Sequence, residues 1–290
     1  MLFAAMVVLW LCWGSSFPAM SVMVRALPPL LASGAVFLVA GVVLAAARPG
    51  ALRGLSRRQL AVSAGAGVCL LGAQGTIAVA MRHVFAGTAA LLVAAIPLWV
   101  AVLRALSGDR PSRGGVVRLV AGFAGVSVVL VAGSAGEGGW SAWALVVVAA
   151  SVAWAAGTLW ASRSGTPPRP ATVVQLCAGG LTLVVAGFLA GELPTGPFGA
   201  ASWASFGYLV LVDSLAGFAL FNWLLRSAPV SLVSTYSYAV PVVAYLIAVL
   251  VLGEPFHPAV PVGAAVIVGA VAAEAVAMTG APPFRRLRSR

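Results

Sequence analysis

The sequence predicts an all-α membrane protein of ten transmembrane helices, arranged as two five-helix repeats inserted in opposite orientations. Three observations predict it. Of 290 residues, 62% are hydrophobic and only 8% charged, against about a quarter charged and about half apolar in a soluble domain. The apolar residues gather in ten runs of spanning length. Crossing the hydrocarbon takes roughly 20 residues as a helix, because backbone amides find no water there. Finally, segments of the two halves align in the same order. The mean hydropathy of +1.07 agrees with the first observation.

Gly, Pro, Arg and polar clusters punctuate the chain into spans at 2–24, 29–47, 60–81, 86–106, 114–133, 140–161, 171–191, 203–224, 229–252 and 258–279. The first becomes apolar at Leu2 with no basic region before it, and reads as a retained helix rather than a processed signal. It carries Trp13, Ser16 and Pro18. Gln74 lies deep in the third span, where an amide needs partners, and Pro97 sits near the middle of the fourth. Trp154 is in the sixth, and Asp213 stands at the centre of the eighth in YLVLVDSLAGFAL. In the ninth, Ser231, Ser234, Tyr238, Pro241 and Tyr245 fall three or four residues apart, so they share one helix face; Thr235 and Tyr236 flank it. Glu274 lies a turn or two from the end of the tenth.

Orientation follows from the arginines, which supply all 17 basic residues. With the N-terminus cytoplasmic, 15 of the 17 lie inside and only Arg25 and Arg82 outside. That asymmetry predicts an inner-membrane protein with both termini cytoplasmic. The net charge of +11 therefore belongs to membrane orientation and not to nucleic acid. Three cysteines within apolar spans argue against a disulfide framework, zinc site or redox motif. The loop positions of His83 and His257 exclude an HExxH-type centre, and the chain carries no nucleotide-binding loop. No cofactor and no enzymatic activity is expected.

The repeat is legible residue by residue. Arg82–Pro97 aligns without gaps on Arg226–Pro241, and SGDRP at Ser107–Pro111 parallels LGEP at Leu252–Pro255. Gly125 falls on Gly269, and Trp13 corresponds to Trp154. The expected division is a first repeat at 1–134, a second at 135–280 and a basic cytoplasmic tail at 281–290. Five spans is an odd number, so the second repeat enters upside down. Inverted repeats recur in secondary transporters, with substrate near the midplane. Pro97 and Pro241 occupy equivalent mid-span places, and each frees a carbonyl by removing a helix hydrogen bond. Asp109 and Glu254 read as helix-end and loop-ordering groups.

At WGSSFP (Trp13–Pro18), AGTAALLVAAIPLW (Ala86–Trp99) and the stretch Leu220–Pro255, the chain resembles the drug/metabolite transporter superfamily, EamA type. The resemblance covers essentially the whole chain. It implies a basket of ten helices around a central cavity that exports or exchanges metabolites, amino acids or toxic compounds. The chain departs from the family pattern at Ala35–Phe37, where an Arg is often found, and at Val240, which replaces an Asn. It departs again at Asp213, where relatives often have Gly or Ser.

Asp213 is the sharpest candidate. A carboxylate at mid-bilayer costs roughly 2.5–3.5 kcal/mol on insertion scales, so it faces a polar path or a partner. It is the expected proton-coupling group or a partner for a cationic substrate, the alternative being a structural carboxyl bonded to Ser and backbone groups. Trp13, Ser16, Gln74, Pro97, Trp154, Ser234, Tyr238, Pro241 and Tyr245 are the expected substrate contacts, the aromatic rings offering stacking or cation–π contact. The expected function is secondary transport of small organic metabolites, amino acids or drugs, with the lipid bilayer and a small-molecule substrate as partners. The alternative is a transport-inactive sensor or assembly subunit with the same fold.

Overall fold

The computed structural model describes residues 2–47, 50, 52–108, 113–134, 142–162, 165–194, 198–217, 220, 223, 224, 227, 236–256 and 258–279. Every regular element among the described residues is helical. In order these are α1 (Leu2–Gly14), α2 (Ser16–Val24), α3 (Pro29–Ala46), α4 (Arg57–Ala80), α5 (Ala86–Val93), α6 (Ile96–Leu106), α7 (Arg113–Ser134), α8 (Ala142–Ser162), α9 (Pro168–Leu189), α10 (Ala200–Tyr208), a π-helical segment π1 (Leu209–Gly217), α11 (Tyr236–Leu250) and α12 (Ala259–Thr279). Among the described residues, six segments are long and apolar enough to cross a membrane: Leu2–Val24, Pro29–Ala46, Arg57–Ala80, Ala86–Leu106, Ala142–Ala161 and Arg169–Leu189. Ala239–Leu250 and Ala259–Ala270 are shorter apolar helices. Large apolar side chains lie exposed on these elements, among them Val42, Leu181 and Leu246, each more than half exposed. On helices of spanning length such a surface is the face that meets lipid.

Local chemistry sets the boundaries. Ser56 opens α4 with a reciprocal cap: its hydroxyl accepts from the Gln59 amide at 3.1 Å, and the Ser56 amide donates to the Gln59 side chain at 3.0 Å. Pro29 and Pro168 begin α3 and α9, where a missing N–H costs nothing. Interior prolines act differently. Pro18 cannot donate to the Gly14 carbonyl, and the first apolar segment divides at Ser15. Pro97 cannot donate to the Val93 carbonyl, and the helix breaks at Ala94–Ala95, where the Ala95 and Leu98 amides make tighter bonds three residues back. α11 instead runs on through Pro241, which is buried.

Close backbone crossings hold the body together. α3 packs on α9, α7 on α12, and α4 on both α8 and α9. At the first crossing a Cβ on Gly34 would lie 2.8 Å from the Gly180 carbonyl, and one on Gly180 equally close to that of Gly34. Gly125 and Gly263 face each other in the same way where α7 crosses α12. Small residues let helix backbones touch where lipid supplies no hydrophobic drive for association. On this segment α5 lies against α11 and also meets α7 and α8, and α6 continues along α7 and α8.

Candidate functional site in a polar cluster on a wide helix turn

Asp213 occupies the middle of π1, flanked by α10 before it. In a π-helix each amide reaches five residues back, which widens the turn and re-aims side chains and carbonyls; such turns concentrate at functional positions. Leu211 and Ala216 are exposed, whereas Ser214 and Gly217 are fully buried and Asp213 is half-buried. The carboxyl thus turns inward while keeping some accessible surface.

Its surroundings come from α1 and α2. The Trp13 indole Nε1 donates to the Asp213 main-chain carbonyl at 3.3 Å. A Cβ on Gly217 would stand 2.5 Å from that nitrogen, so only glycine admits the indole here. The Ser16 hydroxyl, buried near the Asp213 carboxyl, donates its one hydrogen to the Trp13 carbonyl at 2.7 Å. Ser214 reaches an Asp213 carboxyl oxygen over a long 3.5 Å. One turn toward α10, the hydroxyls of Ser15 and Tyr208 are 2.6 Å apart, and the Ser15 hydroxyl also bonds the Cys12 carbonyl. From α11, Tyr236 meets the Trp13 ring edge to face at a centroid distance of 4.8 Å.

This arrangement has a definite chemical capacity. The Ser214 hydroxyl beside the Asp213 carboxyl can donate or accept, so the carboxyl can hold or release a proton without stranding that partner. The Trp13 ring, packed edge to face on Tyr236, lies against the Asp213 main-chain carbonyl. Among the described residues, no group of three or more His, Cys, Asp or Glu could hold a metal ion.

With the cluster defined, the comparisons bear on it. The EamA-like transporter family matches residues 1–131 and again residues 141–273. The chain belongs to that family. It is 31% identical over 259 residues to the uncharacterised inner membrane transporter YedA of Escherichia coli K12, covering 87% of this chain and 83% of the relative. It is also 31% identical over 285 residues to a probable terminal-alkyne amino-acid exporter of Streptantibioticus cattleyicolor, covering 92% and 91%. A crystal structure superposes with a TM-score of 0.65 at 24% identity, covering 99% of this chain and 98% of that one, which establishes the fold. As a member of the EamA-like transporter family the chain is a membrane transporter of small molecules.

The expected site residues are dispersed. Trp13, Ser16 and Asp213 come together. Pro241 is buried on α11. Tyr245 stands nine residues from Tyr236, about 13 Å further along the helix, and packs against Gly87 and Phe256. Trp154 is half-buried on α8 and packs against the main core, and Gln74 is half-buried on α4. Ser231 and Ser234 lie outside the described residues, as do the side chains of Pro97 and Tyr238. Reading the sequence missed Ser15, Tyr208 and Gly217, and it left Tyr236 as a mere flank of the polar face. The serine beside Ser16 in WGSS was the available signal for Ser15; π1 has no sequence signature of its own.

Proposed function

We propose that this EamA-family transporter is a secondary exporter or exchanger of small organic metabolites, amino acids or drugs, with Asp213 as its proton-exchanging carboxyl. The observation that carries the proposal is the half-buried acid on π1, surrounded by hydroxyls and an indole from the first segment. A mid-segment carboxyl is costly unless it works in a polar path. The wider reading is ten spans in two inverted halves, 1–134 and 135–280, around a central cavity, with both termini cytoplasmic. The double family match and the face-to-face glycine crossings support it. The amino-acid exporter among the relatives supports a solute of that class.

The test is a metabolite profile. Cells overexpressing the chain should accumulate a small organic solute outside, and cells overexpressing Asp213→Asn at equal membrane abundance should not. Equal export by both would remove Asp213 from the mechanism. Orientation is checked separately. A cysteine replacing Leu193, 62% exposed after α9, should react with an impermeant thiol reagent in whole cells. Labelling at Arg53 instead would reverse the topology.

A further inference from the structure

Glu192 and Glu254 are used in the same way. Each follows a glycine that ends a helix of the second half with a positive φ, Gly191 at +73° after α9 and Gly253 at +68° after α11. In that left-handed conformation the chain reverses at low cost only for glycine. The next amide folds back on its own helix, Glu192 to the Gly187 carbonyl at 2.9 Å and Glu254 to the Ala248 carbonyl at 3.1 Å. Both side chains then cross to a helix of the first half and accept two first-turn amides. Glu192 takes Leu30 at 3.2 Å and Leu31 at 2.9 Å, at the start of α3. Glu254 takes Ala86 at 2.7 Å and Gly87 at 3.0 Å, at the start of α5.

These first-turn amides have no partner within their own helices, and a carboxylate there also meets the positive end of the helix dipole. Glu254 is only 8% exposed, so its bonds are shielded from water. Arg25 acts on it electrostatically from the end of α2. The same end carries a third tie, in which Arg82 donates to the Val24 and Leu27 carbonyls at 3.0 and 3.1 Å. Below the Glu254 bond, α5 and α11 touch: a Cβ on Gly87 would stand 2.7 Å from the Tyr245 ring and 3.4 Å from Ala248. α5 also meets α7 and α8, along which α6 continues beyond the Ala94–Ala95 break.

We propose that the Gly–Glu turn at Glu254 is a latch that holds one mouth of the solute path shut and releases from α5 each time this mouth opens, whereas the matching turn at Glu192 is a permanent tie. The proposal rests on the transporter reading above. An interface that must open repeatedly is better closed by a few directional bonds than by fused apolar packing, because two carboxylate–amide bonds can be exchanged for water. Glu192 closes the end of the α3–α9 pair, whose backbones touch further along at Gly34 and Gly180, a contact that keeps the pair together; Glu254 closes the α5–α11 pair, where Gly87 meets side chains of Tyr245 and Ala248.

The experiment is accessibility of one buried cysteine. Ala89, one turn inside the latch on α5, is 0% exposed. Ala89→Cys is made in the full chain, reconstituted in nanodiscs and labelled with a membrane-impermeant maleimide, against the unsubstituted chain as control for Cys12, Cys69 and Cys177. Glu254→Gln keeps the shape but sets an amide donor against one backbone N–H, and should raise the labelling rate about tenfold, as expected for losing a shielded charge-assisted bond. Glu254→Asp, one methylene too short, should raise it too, and serves if the Gln variant does not fold. Folded variants that label no faster than the parent overturn the latch. Solute export by the same variants separates the two readings. Unchanged labelling with intact export sinks the latch alone, whereas faster labelling without export in any variant or parent keeps the latch and sinks the transport reading.

Discussion

Asp213 and Glu254 are both shielded carboxyls, yet they are held in opposite ways. Glu254 is seated on two main-chain amides, which are fixed in direction and can only donate. Asp213 is met by the hydroxyl of Ser214, which rotates and can serve as donor or acceptor. Backbone donors suit a carboxylate that stays charged and stays put until the helices move. Hydroxyl partners suit a carboxyl that changes protonation where it stands. On the proposed reading, partner type more than burial separates a fastener from a proton carrier.

Each carboxyl has a guarding glycine, and these offer the strongest way to break the comparison. Gly217→Ala sets a methyl 2.5 Å from the Trp13 indole nitrogen. The indole must leave the Asp213 carbonyl, which should cost about 1–3 kcal/mol as overpacking does and abolish most export. Thermal unfolding in detergent and export by the same preparation check both. Gly87→Ala sets a methyl 2.7 Å from the Tyr245 ring and 3.4 Å from the Glu254 carboxyl, so the start of α5 must shift away from α11. A smaller loss of stability is expected, with faster labelling at Ala89→Cys and export retained. If the two glycine variants gave the same phenotype, the distinction between site and fastener would fail. The smallest effect is expected for Tyr208→Phe, which removes the 2.6 Å bond to Ser15. It should cost about 0.5–1.5 kcal/mol and change solute KM a few-fold with little change in maximal rate.

Much of this was legible in the sequence because lipid imposes simple rules. Long apolar runs and their Pro, Gly and Arg punctuation predicted the helices, and the break at Ala94–Ala95 follows from Pro97. Asp213 was legible because a mid-span acid is costly, and Glu254 was correctly read as a helix-end group. What escaped depends on geometry that spacing does not encode. A regular helical template places Tyr238, Pro241 and Tyr245 on one working face of the ninth span. The structure also brings Tyr236, at the start of α11, onto Trp13 and sets Tyr245 beside Gly87. The widened turns of π1 alter which residues share a face, so the part of Gly217 in seating the indole could not be counted from a 3.6-residue period. The kinship of Glu192 and Glu254 was hidden because each acts on a helix more than 150 positions away in the chain.

The central claim is that Asp213 carries the coupled proton. Membrane vesicles containing the chain or Asp213→Asn, loaded with the solute identified by the metabolite profile, measure it most directly. Uptake driven by an imposed pH gradient should vanish in the variant, while counterflow, which needs no net proton movement, should persist at equal protein abundance. Unchanged pH-driven uptake by Asp213→Asn would contradict the account and make Asp213 a structural carboxyl.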